Sequence, residues 1–149
     1  MHDTRFLNHL FLQERLSAPE SHHPHKGIPE VSEFFEAASV TDLKEGTIKK
    51  VMVSGHGILL ARVKGHYYAV DALCPHLAGD LSQGTLRETT LTCPMHNSQF
   101  DVRDGHVIRW TDQTGIRLTL ASQTHPPRPL KHYPVRVEGD KILITLERF

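Results

Sequence analysis

Residues 71–101 read DALCPHLAGDLSQGTLRETTLTCPMHNSQFD, and they contain both cysteines of a 149-residue chain. The first half carries Cys74-Pro75-His76 and the second Cys93-Pro94-Met95-His96, with sixteen residues between His76 and Cys93. Two thiols and two imidazoles in matched pairs form a ligand set for two metal ions, one bound by sulfur and one by nitrogen. In each pair the cysteine precedes the histidine by two or three residues, so one short loop reaches both metals from one side and two loops close on them as a clamp. Pro75 and Pro94 each follow a cysteine; the ring fixes a backbone angle and removes a donor, which stiffens the loop before metal arrives. A structural zinc site is the rival for the same four side chains. Its usual spacings are C-x2–4-C and H-x3–5-H, whereas here each pair mixes one cysteine with one histidine.

The C-x-H pair, the gap and the run C-x-x-H-x-S-x-F-D together resemble the Rieske-type [2Fe–2S] ferredoxin family, over roughly residues 34–146. In that family two thiolates hold one iron and two histidines the other. The resemblance implies an all-β fold, an antiparallel sandwich or barrel with an inserted cluster-binding lobe at about 71–110. It implies Cys74, His76, Cys93 and His96 as ligands to one [2Fe–2S] cluster, with Ser98 donating a hydroxyl hydrogen bond nearby, and no catalytic residue. It also implies that the outer nitrogens of His76 and His96 lie at the surface of the lobe tip, where electrons enter and leave. High-potential members carry an extra cysteine in each loop, joined as a disulfide, and a tyrosine near the cluster. Here those places hold Ala78 or Gly79, Met95 and Phe100, so the expected potential falls in the lower half of a range of roughly −150 to +300 mV.

The expected function is a one-electron carrier between a flavin reductase and an oxygenase or other oxidoreductase. A small Rieske subunit of a reductase complex is the alternative. An oxygenase catalytic subunit needs a further domain with its own mononuclear iron site, and an interaction module without a cluster has no use for four intact ligands.

Composition sets the remaining bounds. Seventeen basic and seventeen acidic residues cancel, which leaves no electrostatic footprint for nucleic acid. With both cysteines committed to metal, nothing argues for an oxidising compartment. No apolar run approaches the eighteen or so residues that span a bilayer, so no membrane anchor is expected and the protein is assigned to the cytoplasm.

Along the chain, residues 1–30 read as an extension and linker, and 31–149 as the cluster domain. Phe6, Leu7, Leu10, Phe11 and Leu16 recur at helical spacing and predict a short amphipathic helix. His22, His23 and His25 lie in a Pro- and Gly-broken segment that reads as linker, with metal binding as the sharper reading. Short strands are predicted at 47–53, 58–63 and 66–70, joined by Gly turns into an antiparallel meander with Arg62, Lys64 and His66 facing solvent. Phe100 and Leu77 are expected to shield the cluster. The 111–124 insert, with Ile116, Leu118 and Leu120 alternating, predicts a strand or flap. The segment His125 to Leu130 resembles the family's proline loop over the cluster, and strands at 133–137 and 142–146 are expected to close the sheet.

Overall fold

The chain is described here by a computed structural model, over residues 32–147. The predicted helix and the histidines at 22, 23 and 25 lie outside the described residues.

The fold is organised by one strand buried on both faces. His56–Val63 (β3) runs between Ile48–Val53 (β2) and His66–Asp71 (β4), and His132–Tyr133 (β9) pairs with the far edge of β4. Side chains alternate along a strand, so Ile58 and Leu60 enter one apolar cluster while Leu59, Ala61 and Val63 enter another. All the residues from Ile58 to Ala61 are 0% exposed, which explains why β3 reads as a near-continuous apolar run. The meander is as expected. Its two turns use Ser54-Gly55 and Lys64-Gly65, with φ of 46° and 79°, then 51° and 76°, the all-positive pattern of a two-residue hairpin that matches the strand twist.

Two further sheets pack on the two faces. Phe34–Ser39 (β1), Lys141–Thr145 (β11) and Val135–Glu138 (β10) form one, in the order β1-β11-β10. Their inner face supplies Ile142 and Ile144 to the cluster that also holds Leu43, Ile58, Leu60 and Tyr133. The last hairpin therefore pairs with β1 in a sheet of its own and does not close the meander. The other sheet is the inserted lobe, Thr85–Arg87 (β5), Thr90–Thr92 (β6), Gln99–Asp101 (β7) and Val107–Arg109 (β8). It shares with β3 and β4 a core of Leu59, Val70, Leu81, Leu91, Phe100, Val102 and Leu130. The lobe departs at Asp71 and returns at Lys131, where the Asp71 N–H donates to the Lys131 carbonyl at 2.9 Å.

Three expectations need correction. Residues 115–124 form a helix, Gly115–Thr124 (α1), and not a strand. Residues two apart lie on opposite sides of a helix and residues four apart on the same side, so Leu118 faces away from Ile116 and Leu120, and the three stay 39%, 77% and 55% exposed. Arg62 is not free in solvent: half-buried, it stacks over Tyr67 at 5.3 Å and donates to the Leu43 carbonyl at 3.2 Å. Leu77 is 45% exposed and shields little, whereas Phe100 is fully buried beneath the lobe.

Gly105 sets the exit from β7. Its φ is 75°, and an added Cβ would strike the Leu130 carbonyl oxygen and stand 2.9 Å from its carbon. Leu130 N–H in turn donates to Gly105 O at 2.8 Å, so neither backbone can retreat. Gly105→Ala is expected to cost about 3 kcal/mol or more, read as a fall in denaturant midpoint at unchanged m-value.

Candidate metal centre

Two loops with the same backbone plan hold the four predicted ligands. In the first, Cys74 N–H donates to the carbonyl of the residue five places on, Gly79, at 2.8 Å, and Ala78 takes φ 56°. In the second, Cys93 N–H donates to Ser98 O at 2.8 Å, and Asn97 takes φ 53°. Each loop is thus a tight six-residue closure with a cysteine at its start and one left-handed residue before its end. Asn tolerates that conformation readily; Ala adopts it only because the closure dictates it. Flanking structure fixes both loops: Leu73 bridges Asp80, and β6 and β7 pair on either side of the second loop.

The plan brings the ligands together in pairs. Cys74 and Cys93 are 3% and 2% exposed, lie in the apolar core shared with Phe100 and Trp110, and are near enough for Cys93 to act on the Cys74 thiol. His76 and His96 meet edge to face with ring centroids 5.0 Å apart. Burial pushes the Cys74 thiol above its ordinary range, and the neighbouring Cys93 adds to this, while the His76 N–H and the Ser98 hydroxyl pull the other way. A metal ion reverses such a balance by binding thiolate outright. Burial, with His96 and His125 nearby, lowers the His76 pKa, which keeps the imidazole neutral as a ligand must be.

One atom tests whether an iron–sulfur group fits. His76 Nδ1 is buried and has no hydrogen-bond partner, a costly state for a ring nitrogen unless something else takes its lone pair. A pair of buried thiols beside such a nitrogen is the donor set of a centre with sulfur on one iron and nitrogen on the other. The residues present fit that group.

Ser98 is 0% exposed and donates its hydroxyl proton to the Trp110 carbonyl. One proton serves one acceptor at a time, so a bond to sulfur competes with that carbonyl. His96 is half-buried and His76 is 6% exposed, with Nδ1 the buried nitrogen of the His76 ring.

Sequence reasoning missed Trp110 as part of the site, and read His125 and Arg128 only as members of the covering segment. The Trp110 ring packs edge-on against His76 at 4.9 Å, and its indole N–H donates to the His125 carbonyl at 2.7 Å. The 125–130 segment does lie over the first loop as the resemblance implied, with Arg128 Nη2 donating to Pro75 O at 3.3 Å. Both bonds run to backbone carbonyls, which leave no side-chain signal in a sequence. Gly79 belongs here too: a Cβ there would sit 2.8 Å from Cys93 Sγ and 2.9 Å from Met95 Sδ.

Comparisons with known proteins agree with this geometry. A family model described as Rieske [2Fe–2S] domain matches residues 33–134. The ferredoxin component of the naphthalene 1,2-dioxygenase/salicylate 5-hydroxylase systems of Ralstonia sp is 32% identical over 114 residues, covering 76% of this chain and 96% of that protein. Apoptosis-inducing factor 3 of Homo sapiens is 32% identical over 142 residues, 94% of this chain but 20% of that protein. Among solved structures, the ferredoxin of carbazole 1,9a-dioxygenase from Nocardioides aromaticivorans IC177 superposes with a TM-score of 0.63 at 26% identity, covering 78% of this chain and all (100%) of that one.

Asp101 holds the end of the β6–β7 hairpin opposite the second loop. Its buried carboxylate accepts from Thr89 Oγ1 at 3.1 Å, from Arg103 N and Nε at 2.9 Å each, and from Arg103 Nη2 at 2.7 Å. The Arg103 guanidinium holds its pKa down to about 2 against burial, from an ordinary 3.8. Because the folded pKa lies below the unfolded one, the stabilisation is present above about pH 4 and is lost as pH falls through about 2. Asp101→Asn is expected to lose about 2 kcal/mol at pH 6. The gap in denaturant midpoint between variant and parent should narrow as the pH drops below 4.

Proposed function

This chain belongs to the Rieske [2Fe–2S] domain family, and from that membership we propose that it is a ferredoxin passing single electrons from a flavin reductase to an oxygenase, working in the cytoplasm. The ligands assigned to its one [2Fe–2S] cluster are Cys74, Cys93, His76 and His96. The observation that carries the assignment is the buried thiol pair beside the unpartnered Nδ1 of His76, at the mouths of two matching loops. When bound, the cluster supplies reversible uptake of one electron without bond-making on a substrate.

The chain's own residues do the rest. Phe100, Leu81, Leu91 and Trp110 pack round the two cysteines and keep water from the sulfurs. The backbone N–H of His76 faces the Cys74 sulfur and stabilises negative charge there, the kind of contact that raises a potential. Against it stands Phe100, which has no hydroxyl to offer, while Ser98 divides its one proton between Cys74 and the Trp110 carbonyl. Gly79 and Met95 fill the space between the loops without a covalent link. A potential in the lower half of the Rieske range follows. The relatives named as ferredoxin components of oxygenase systems support the pairing with an oxygenase. No helix among the described residues is long and apolar enough to cross a membrane.

One observation favours a second arrangement. A relative matched over 94% of this chain carries the match in only 20% of its own length, which supports the same carrier acting as one module of a larger protein.

Purified anaerobically and reduced with dithionite, the protein is expected to give a rhombic low-temperature EPR signal with average g about 1.9. A colourless, EPR-silent protein holding one zinc per chain would overturn the assignment. Cys74→Ser or His96→Ala is expected to abolish that signal. Potentiometric titration of the parent should place the midpoint below about +75 mV, the middle of the Rieske range.

A further inference from the structure

The two ligand loops meet at Gly79 and Met95. Gly79 closes the first loop through its carbonyl and is buried. A Cβ added there would stand 2.8 Å from Cys93 Sγ, 2.9 Å from Met95 Sδ and 3.2 Å from Met95 Cγ. The Gly79 backbone is not left-handed, so glycine is required for close approach alone. The Met95 and Cys93 sulfurs are no farther apart than the sum of the first two lengths, yet Met95 is 56% exposed and Cys93 only 2%. The thioether therefore lies against Gly79 and Cys93 from the solvent side.

Met52 supplies the contrast. It lies on β2, 66% exposed, at the rim of a cavity lined by Lys50, His56, Asp71 and Leu73, with neither cysteine beside it. The third methionine, Met1, lies outside the described residues. Oxidation turns a flexible apolar methionine into a polar sulfoxide. At Met52 the new oxygen meets water and disturbs little. At Met95 it cannot enter the space toward Gly79, where a single added carbon already collides. It must turn outward, and its hydration draws the side chain away from the gap between the loops.

We propose that Met95 is a reversible oxidation site that guards the cluster: a hydroperoxide that oxidises its thioether opens the gap between the ligand loops and shortens the life of the cluster, and reduction of the sulfoxide closes the gap again. This rests on the cluster assignment above. In the forward step the O–O bond of hydrogen peroxide breaks, one oxygen bonds to Sδ, sulfur is oxidised by two electrons and the other oxygen leaves as water. In the return step a thiol pair of a sulfoxide reductase becomes a disulfide and the oxygen on sulfur leaves as water. Leucine at this place would fill the same volume without that chemistry. Two-electron reduction of dioxygen yields peroxide, so a carrier that serves oxygen chemistry works where the oxidant forms.

The test uses the full-length, cluster-loaded protein, with visible and EPR spectra recorded before treatment. A colourless parent overturns the cluster assignment and this proposal together; with a coloured parent, the results below bear on this proposal alone. After brief exposure to hydrogen peroxide, quenched with catalase, peptide mass spectrometry is expected to find one oxygen added at Met95 as well as at Met52. The half-life of the surviving visible absorbance should fall severalfold. Treatment with the two methionine sulfoxide reductases, one for each epimer, and dithiothreitol should restore that half-life, and dithiothreitol alone should not. Met52→Leu is expected to behave as the parent does, whereas Met95→Leu keeps its untreated half-life after the same dose. Met95 left unmodified at a dose that converts Met52 overturns the proposal. So does a Met95→Leu cluster that decays as fast as the parent's, which marks attack on the iron itself, and so does a half-life that stays short once Met95 is a thioether again. The reductase arm needs no variant and decides the matter if Met95→Leu takes up no cluster.

Discussion

Two thiols side by side in an apolar core are the constraint on which the rest depends. Cys74 and Cys93 sit among Leu81, Leu91, Phe100 and Trp110. As metal ligands both must be thiolate, and two adjacent thiolates cannot be held in such a place without a cation to compensate them. The fold answers with two loops of one design, each closed from the cysteine N–H to a carbonyl five residues on. Closure lifts the following residues outward, so the sulfurs face the core and the imidazoles the rim. Iron binding and loop folding are then one equilibrium, with the stiffness of Pro75, Pro94 and the two closures lowering the entropy it costs.

That core continues beyond the lobe. β3 is apolar on both sides, and its Leu59 and Ala61 belong to the same cluster as the two cysteines, while Ile58 and Leu60 reach the β1-β11-β10 sheet. The ligand loops are thereby built on a strand whose position is fixed from both faces, a rigid mounting for a centre whose geometry must change little between redox states.

What could be read in the sequence follows from how local each signal is. The ligands were legible because metal chemistry fixes residue type and short spacing, and Ser54-Gly55 and Lys64-Gly65 announced their hairpins because only certain residues take positive φ. β1 was not legible as a strand: FFEAAS shows no alternation, and its partner Lys141–Thr145 lies more than a hundred residues away. The insert misled for the opposite reason, since Ile116, Leu118 and Leu120 alternate as a strand would. No strand pairs with this stretch, and a run containing Leu, Ala, Arg and Gln takes the helix instead. The bond between Trp110 and His125 escaped notice because an indole N–H joined to a backbone carbonyl fifteen residues on depends on the path of the chain and not on the identity of the acceptor.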